Sequence, residues 1–203
     1  MSIYILDNNP AECAKMLDDK SLDKMIKDIA QVLCNVHHEL SDYINDADYF
    51  DDDIPLCWSG HSLKHYKNAE WSSWATECNA NYLYLVNLGL ACSYEIEIHR
   101  KIRSNYNKKY AEILRWAREN IPGDFHKCVS VSTLSCLGKC GLPMIMPKKF
   151  IKLCSDINGD ATDNLPEFMV IQSYRNYYQA KLRQKPECFT IYTNRKKPEW
   201  ITL

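Results

Sequence analysis

Leu22, Met25, Ile26, Ile29, Leu33, Val36 and Leu40 recur at intervals of three and four residues, the spacing that puts side chains on one face of an α-helix. Lys20, Lys24, Asp28, Gln31, Asn35 and His38 recur at the same spacing about half a turn away, so Asp18 to His38 predicts a helix with an apolar stripe and an opposed polar stripe. Ahead of it, Ser2 to Leu6 predicts a short strand. Asp7-Asn8-Asn9-Pro10 reads as a helix start, with Asn or Asp as the cap and Pro at or near the first helical position, for a helix over Ala11 to Leu17. From Ser62 to Arg103 the period is again helical, with Trp71, Trp74, Cys78, Tyr82, Leu85 and Leu88 on one stripe and a break near Asn79 to Asn81 or Asn87 to Gly89. An aromatic stripe at this spacing predicts core. Further helices are expected over Lys108 to Asn120, stopping before Ile121-Pro122-Gly123, and over Pro166 to Arg183. Cys188 to Thr193 predicts a strand able to pair with Ser2 to Leu6. The fold class that follows is mostly α: a single-domain helical bundle over residues 1–203, with a minor two-stranded β element pairing the N- and C-terminal segments.

Composition fits that picture. The chain has 203 residues, 46% of them hydrophobic and 25% charged, the balance of an ordinary globular domain. A net charge of −1 excludes a uniformly basic nucleic-acid binder but leaves room for a local basic patch. The N-terminus lacks the basic region and apolar core of a signal peptide. No apolar run approaches the roughly 18–20 residues of a membrane span, so no membrane partner and a cytoplasmic location are expected. The ten cysteines fall at apolar helical positions such as Cys34 and Cys92 and read as reduced, small hydrophobes of a reducing cytosol. His126, Cys128, Cys136 and Cys140 are ligand types that zinc takes, in a Gly-containing loop. Their spacing matches no familiar finger, and free thiols with no bound metal are the favoured reading. The acidic run from Asp42 to Pro55 lacks the central Gly and terminal Glu of a calcium loop and reads as solvated. No cofactor is expected.

The polar stripe has two readings. Lys and Asp at helical spacing are what a solvated face offers, where each pair contributes about 0.3–0.5 kcal/mol. The same groups also suit chemistry, because a lysine beside another cation loses affinity for its proton and a carboxylate can shuttle that proton. Basic residues interleave with aromatics in two places, His99 to Tyr110 and the C-terminal run through Tyr174, Arg175, Tyr177, Tyr178, Lys181, Tyr192, Asn194, Arg195 and Trp200. Cations neutralise phosphates and flat rings stack on unpaired bases.

The order of Ile-Leu-Asp near the N-terminus, Asp19-Lys20, Lys24-Met25, Asp28, Gln31, Trp74, Asn81-Tyr82, Glu95, Met146-Pro147, Tyr174-Arg175, Tyr177-Tyr178, Lys181, Asn194-Arg195, Pro198 and Trp200 resembles a family of small uncharacterised proteins encoded by tailed phages and large DNA viruses. The resemblance spans nearly the whole chain. It departs at Ser21, where that family has His after the Asp-Lys pair, and at Asp28, where Glu is usual. It implies a viral, phage-type setting in a host cell cytoplasm.

The function expected from these readings is an enzyme acting on a nucleotide or DNA base, such as base modification or base removal. Asp19, Lys20, Lys24, Asp28, Gln31, Glu95 and His99 are the candidate catalytic residues, with a lysine as nucleophile or phosphate clamp and an aspartate as general base. Trp74, Asn81, Tyr82, Tyr174, Arg175, Lys181, Asn194 and Arg195 are the candidate substrate contacts. The stripe is expected to face Glu95 and His99 across a cleft. A non-enzymatic viral protein that binds DNA or inhibits a host defence protein is the alternative, with the acidic run mimicking nucleic acid.

Overall fold

A computed structural model of the chain describes residues 3–40, 70–100, 105–123, 125, 146, 167–184, 186 and 191–202. Among them six helices form: α1 (Pro10–Lys15), α2 (Asp19–Leu40), α3 (Glu70–Glu77), α4 (Asn79–Arg100), α5 (Asn105–Glu119) and α6 (Glu167–Gln184). The acidic run and the His126 to Cys140 cluster lie outside the described residues. None of the described helices is long and apolar enough to cross a membrane.

Helix α1 starts where the sequence placed its signals. Asn9 is the N-cap, its side-chain oxygen accepting from the amides of Ala11 and Glu12, and Pro10 occupies the first turn, where its missing N–H leaves nothing unpaired. Asp18 caps α2 by accepting from the amides of Lys20 and Ser21. The apolar stripe of α2, from Leu22 through Leu40, is buried against α3, α4 and α5. Gly89 lets α4 approach α2 and α5 closely: a Cβ there would meet Leu114 at 2.8 Å and Ile29 at 3.1 Å.

The expected break in the long helical stretch falls at Cys78, between α3 and α4. Asn81 spans it, its side-chain amide donating to the carbonyl of Trp74 at 2.8 Å, so a carbonyl freed by the helix end finds a donor. The aromatic stripe is core: Trp71, Trp74, Cys78, Tyr82 and Leu85 are all buried.

No strand forms among the described residues, and the expected pairing of the two terminal segments is not seen in them. Ile3, Tyr4, Ile5 and Leu6 are instead a fully buried segment whose polar backbone is met by side chains. The Cys13 thiol accepts from the Leu6 amide and donates to the Tyr4 carbonyl. Arg175 Nε donates to the Leu6 carbonyl at 2.8 Å and the Tyr84 hydroxyl to the Asp7 carbonyl at 2.9 Å. A buried backbone needs partners, and here side chains supply them where a neighbouring strand would. Helix α6 covers this segment through Tyr4 against Tyr177 and Tyr178, and the C-terminal residues 191–202 run across the start of α2, where the Asp19 amide donates to the Ile191 carbonyl.

Cys34 is disulfide-bonded, which corrects the expectation of a reduced thiol there, while Cys13, Cys78 and Cys92 are buried thiols outside any disulfide. Disulfides are uncommon in a reducing cytosol, so cysteine usage no longer argues for that compartment.

Candidate functional site

An α-helix advances about 100° per residue, so Asp19 and Asp28 point about 180° apart on α2. The candidate residues therefore divide into two assemblies, one on each side of the helix, and no single cleft holds them all.

The first gathers around Asp19. Its carboxylate accepts from the Thr193 amide, from the Thr193 hydroxyl at 2.6 Å and from Arg195 Nη2 at 2.6 Å. Burial pulls its pKa upward, but the bonds from Thr193 and Arg195 outweigh burial and the net is below the usual carboxylate value. Arg195 Nη1 lies 4.0 Å from Glu95 Oε2, and His99 Nε2 lies 3.4 Å from the same oxygen. Asn194, with φ of 55°, takes the left-handed conformation that Asn tolerates and donates from its side chain to the His99 carbonyl. The Asp19, Glu95 and Arg195 side chains are 10%, 6% and 4% exposed. Three motif positions far apart in sequence thus converge as a closed knot. The guanidinium is set between two carboxylates and Asp19 accepts three donors, while Arg195 Nε and Nη1 and Glu95 Oε2 are buried with no hydrogen-bond partner among the described residues.

Asp18 extends this knot. Besides capping α2, it accepts from Ser21 Oγ at 2.6 Å and from the Tyr178 hydroxyl at 2.5 Å, while its own amide donates to the Tyr178 oxygen at 2.8 Å. Burial raises the Asp18 pKa and lifts that of Tyr178 well above a free phenol's, so Tyr178 stays a neutral donor.

The second assembly lies along the polar stripe. Lys20 and Lys24 are exposed, while Asp28 is buried. From α6, the half-buried Lys181 donates to the Tyr4 hydroxyl at 2.6 Å and sits 5.2 and 5.6 Å from the ring centroids of Tyr4 and Tyr177. Burial lowers the proton affinity of Lys181, the charge of Lys24 lowers it further, and Asp28 acts in the opposite direction. A second amine and a carboxylate thus act on the Lys181 amine at a partly open surface. Further along the stripe, Gln31 keeps a buried oxygen with no partner among the described residues, and Asn35 reaches Ser72 of α3 at 3.5 Å.

The remaining candidate contacts are structural. Trp74, Tyr82 and Tyr174 are buried in the core, and the Tyr82 hydroxyl donates to the Ala117 carbonyl while 2.7 Å from His37 Nε2. None of these rings is placed to stack on a base. Arg175 is tied to the Leu6 carbonyl, to Asp7 at 3.4 Å and to the face of Trp200. Arg175 and Arg195, both candidate substrate contacts, thus each have a carboxylate partner within the fold. Sequence reading did not single out Asp18, Thr193, Tyr4 and the pairing role of Tyr178. The helical spacing of Tyr174, Tyr178 and Leu182 signals their burial, but no local signal marks a hydroxyl whose partner lies 160 residues away. Among the described residues no group of three or more His, Cys, Asp or Glu side chains is set to hold a metal ion.

Comparison with protein-family models, with curated proteins and with solved structures finds no match for this chain.

Proposed function

We propose that the chain is an enzyme acting on a nucleotide or a DNA base, in base modification or base removal, and that its chemistry runs at the Lys24, Asp28 and Lys181 assembly. The observation that carries this reading is the Lys181 amine, held by the Tyr4 hydroxyl beside two tyrosine rings, with its proton affinity lowered by burial and by a second lysine. An amine tuned in this way gives up its proton more readily than an exposed lysine, which favours a role as base or nucleophile. Lys20 and Lys24, exposed at helical spacing, supply charge for a phosphate beside it. Arg195 has its charge matched within the fold and is assigned to structure. The family resemblance adds the viral setting, and a host-cytoplasmic site of action rests on that resemblance alone.

Titration with a nucleoside triphosphate and a single-stranded oligonucleotide over a range of salt tests the reading. Replacing Lys20 and Lys24 together with Ala is expected to weaken binding and to reduce the salt slope by about 0.7–0.9 for each phosphate that the protein no longer neutralises. Replacing Arg175 with Ala should leave that slope unchanged. Absence of binding by the wild-type protein at low salt removes the assignment.

A further inference from the structure

We infer that Lys181 is an imine-forming nucleophile for a phosphorylated aldehydic sugar, the ring-opened deoxyribose of an abasic DNA site or a free sugar phosphate, with Lys20 and Lys24 holding the phosphate. The inference rests on the reading above and goes further by naming the bond that forms. Its footing is geometric. The Lys181 Nζ is fixed by the Tyr4 hydroxyl at 2.6 Å, with the Tyr4 and Tyr177 rings together on one side of it. Rings beside an amine exclude water from that side and leave the other side for a reactant to approach. Asp28 is 4% exposed and close enough for its charge to act on Lys181, which suits it to carry the proton the reaction must move. The cations that would meet a phosphate, Lys20 and Lys24, lie on the same stripe as Asp28 and are exposed.

In the step itself, the Nζ lone pair attacks the aldehyde carbon, the C=O pair moves to oxygen, and one nitrogen proton passes to that oxygen to give a neutral carbinolamine. The second nitrogen proton passes to Asp28 and from there to the departing hydroxyl. Water is lost and a C=N bond joins Lys181 to the sugar. No oxidant or metal enters the balance, and addition of water reverses the step and releases the amine. The lowered proton affinity of Lys181 supports this role, because only the uncharged amine has a lone pair to give.

Reductive trapping tests the proposal on the wild-type protein. Cyanoborohydride is added with an oligonucleotide carrying one abasic site, or with deoxyribose 5-phosphate, and the secondary amine is located by peptide mass spectrometry. The expected result is a single adduct at Lys181 from at least one of the two, and the responding arm identifies DNA or free sugar as the source. An adduct at Lys20 or Lys24, or labelling spread over surface lysines, overturns the proposal. Absence of any adduct from either sugar overturns it as well. If no adduct forms while oligonucleotide binding persists, the imine assignment fails and the nucleotide reading stands; if binding is absent too, both fail. Asp28→Asn supplies a second readout. It should speed acylation of Lys181 by acetic anhydride, because an acid that held its proton is gone, and slow imine trapping at least tenfold, because the proton carrier is gone. A purely structural Asp28 would move both rates in the same direction.

Discussion

Two charged assemblies flank α2, and the contrast between them lies in how each cation is matched. On the Asp19 side, Arg195 is enclosed and bonded to a carboxylate, with a second carboxylate 4.0 Å away. On the Asp28 side, Lys181 is half-buried against tyrosine rings, with a neighbouring lysine as well as an acid acting on it. Enclosure sets the first group inside the fold, where Arg195 Nε and Nη1 and Glu95 Oε2 are buried with no hydrogen-bond partner among the described residues. Partial exposure leaves the amine of the second within reach of a solute. Two of the candidate catalytic residues, Asp19 and Glu95, and one candidate substrate contact, Arg195, belong to the first group.

The sharpest way to break this contrast is to remove one cation from each side. Arg195→Ala leaves Asp19 and Glu95 buried without their counter-ion, and a loss of about 3–5 kcal/mol in urea unfolding is expected. Lys24→Ala, at an exposed position, should change stability by no more than about 0.5 kcal/mol. Equal losses would show that both sides are structural. Next in size is Tyr178→Phe, which deletes the donor to a buried carboxylate and should cost about 1.5–3 kcal/mol. If its effect is negligible, Ser21 and the capped amides alone satisfy Asp18.

Acid titration separates the two adjacent aspartates. The Asp19 pKa is lowered on folding, so its contribution is complete above the unfolded value of about 3.9 and is lost as pH falls through the folded value. Asp18 is raised, so its contribution is present below the unfolded value and is lost as pH rises through the folded one. Asp19→Asn should therefore flatten the acid limb of the stability curve, and Asp18→Asn should steepen it. Identical profiles for the two variants would undo the assignment. The smallest effect is on the open side. Lys24→Ala removes a like charge and should move the pH profile of Lys181 acylation to higher pH, with folding unaffected. A profile that does not move would mean burial alone tunes Lys181.

The helices were legible because their signals are local. Asn9 and Pro10 mark the start of α1, and the stripe from Leu22 to Leu40 marks the buried face of α2. The strand expected at Ser2 to Leu6 illustrates the limit. An apolar run rich in β-branched residues reports burial and extension, but its partners, Cys13, Tyr84 and Arg175, are side chains brought from elsewhere. The site was legible only as a set of residue types. Lys24 and Asp28 could be placed on one face from spacing, yet the third member, Lys181, arrives from another helix. The carboxylate partners of Arg175 and Arg195 were not legible either, because Asp7 and Asp19 lie 168 and 176 residues away.

The ties between Asp18 and Tyr178 and between Asp19 and residues 193–195 also set an order of assembly. When the ribosome has made α1 and α2, both aspartates stand at the start of α2 with none of their distant donors yet synthesised. Over that interval they can be held only by water and by donors of the first helical turn, the Ser21 hydroxyl among them. Contacts of such long sequence separation form late and slow a fold that is otherwise built of quick local helices. Residues 193–195 are therefore expected to act as the closing step of folding, and a chain halted before them should present α2 with its acidic end still hydrated and open to proteolysis.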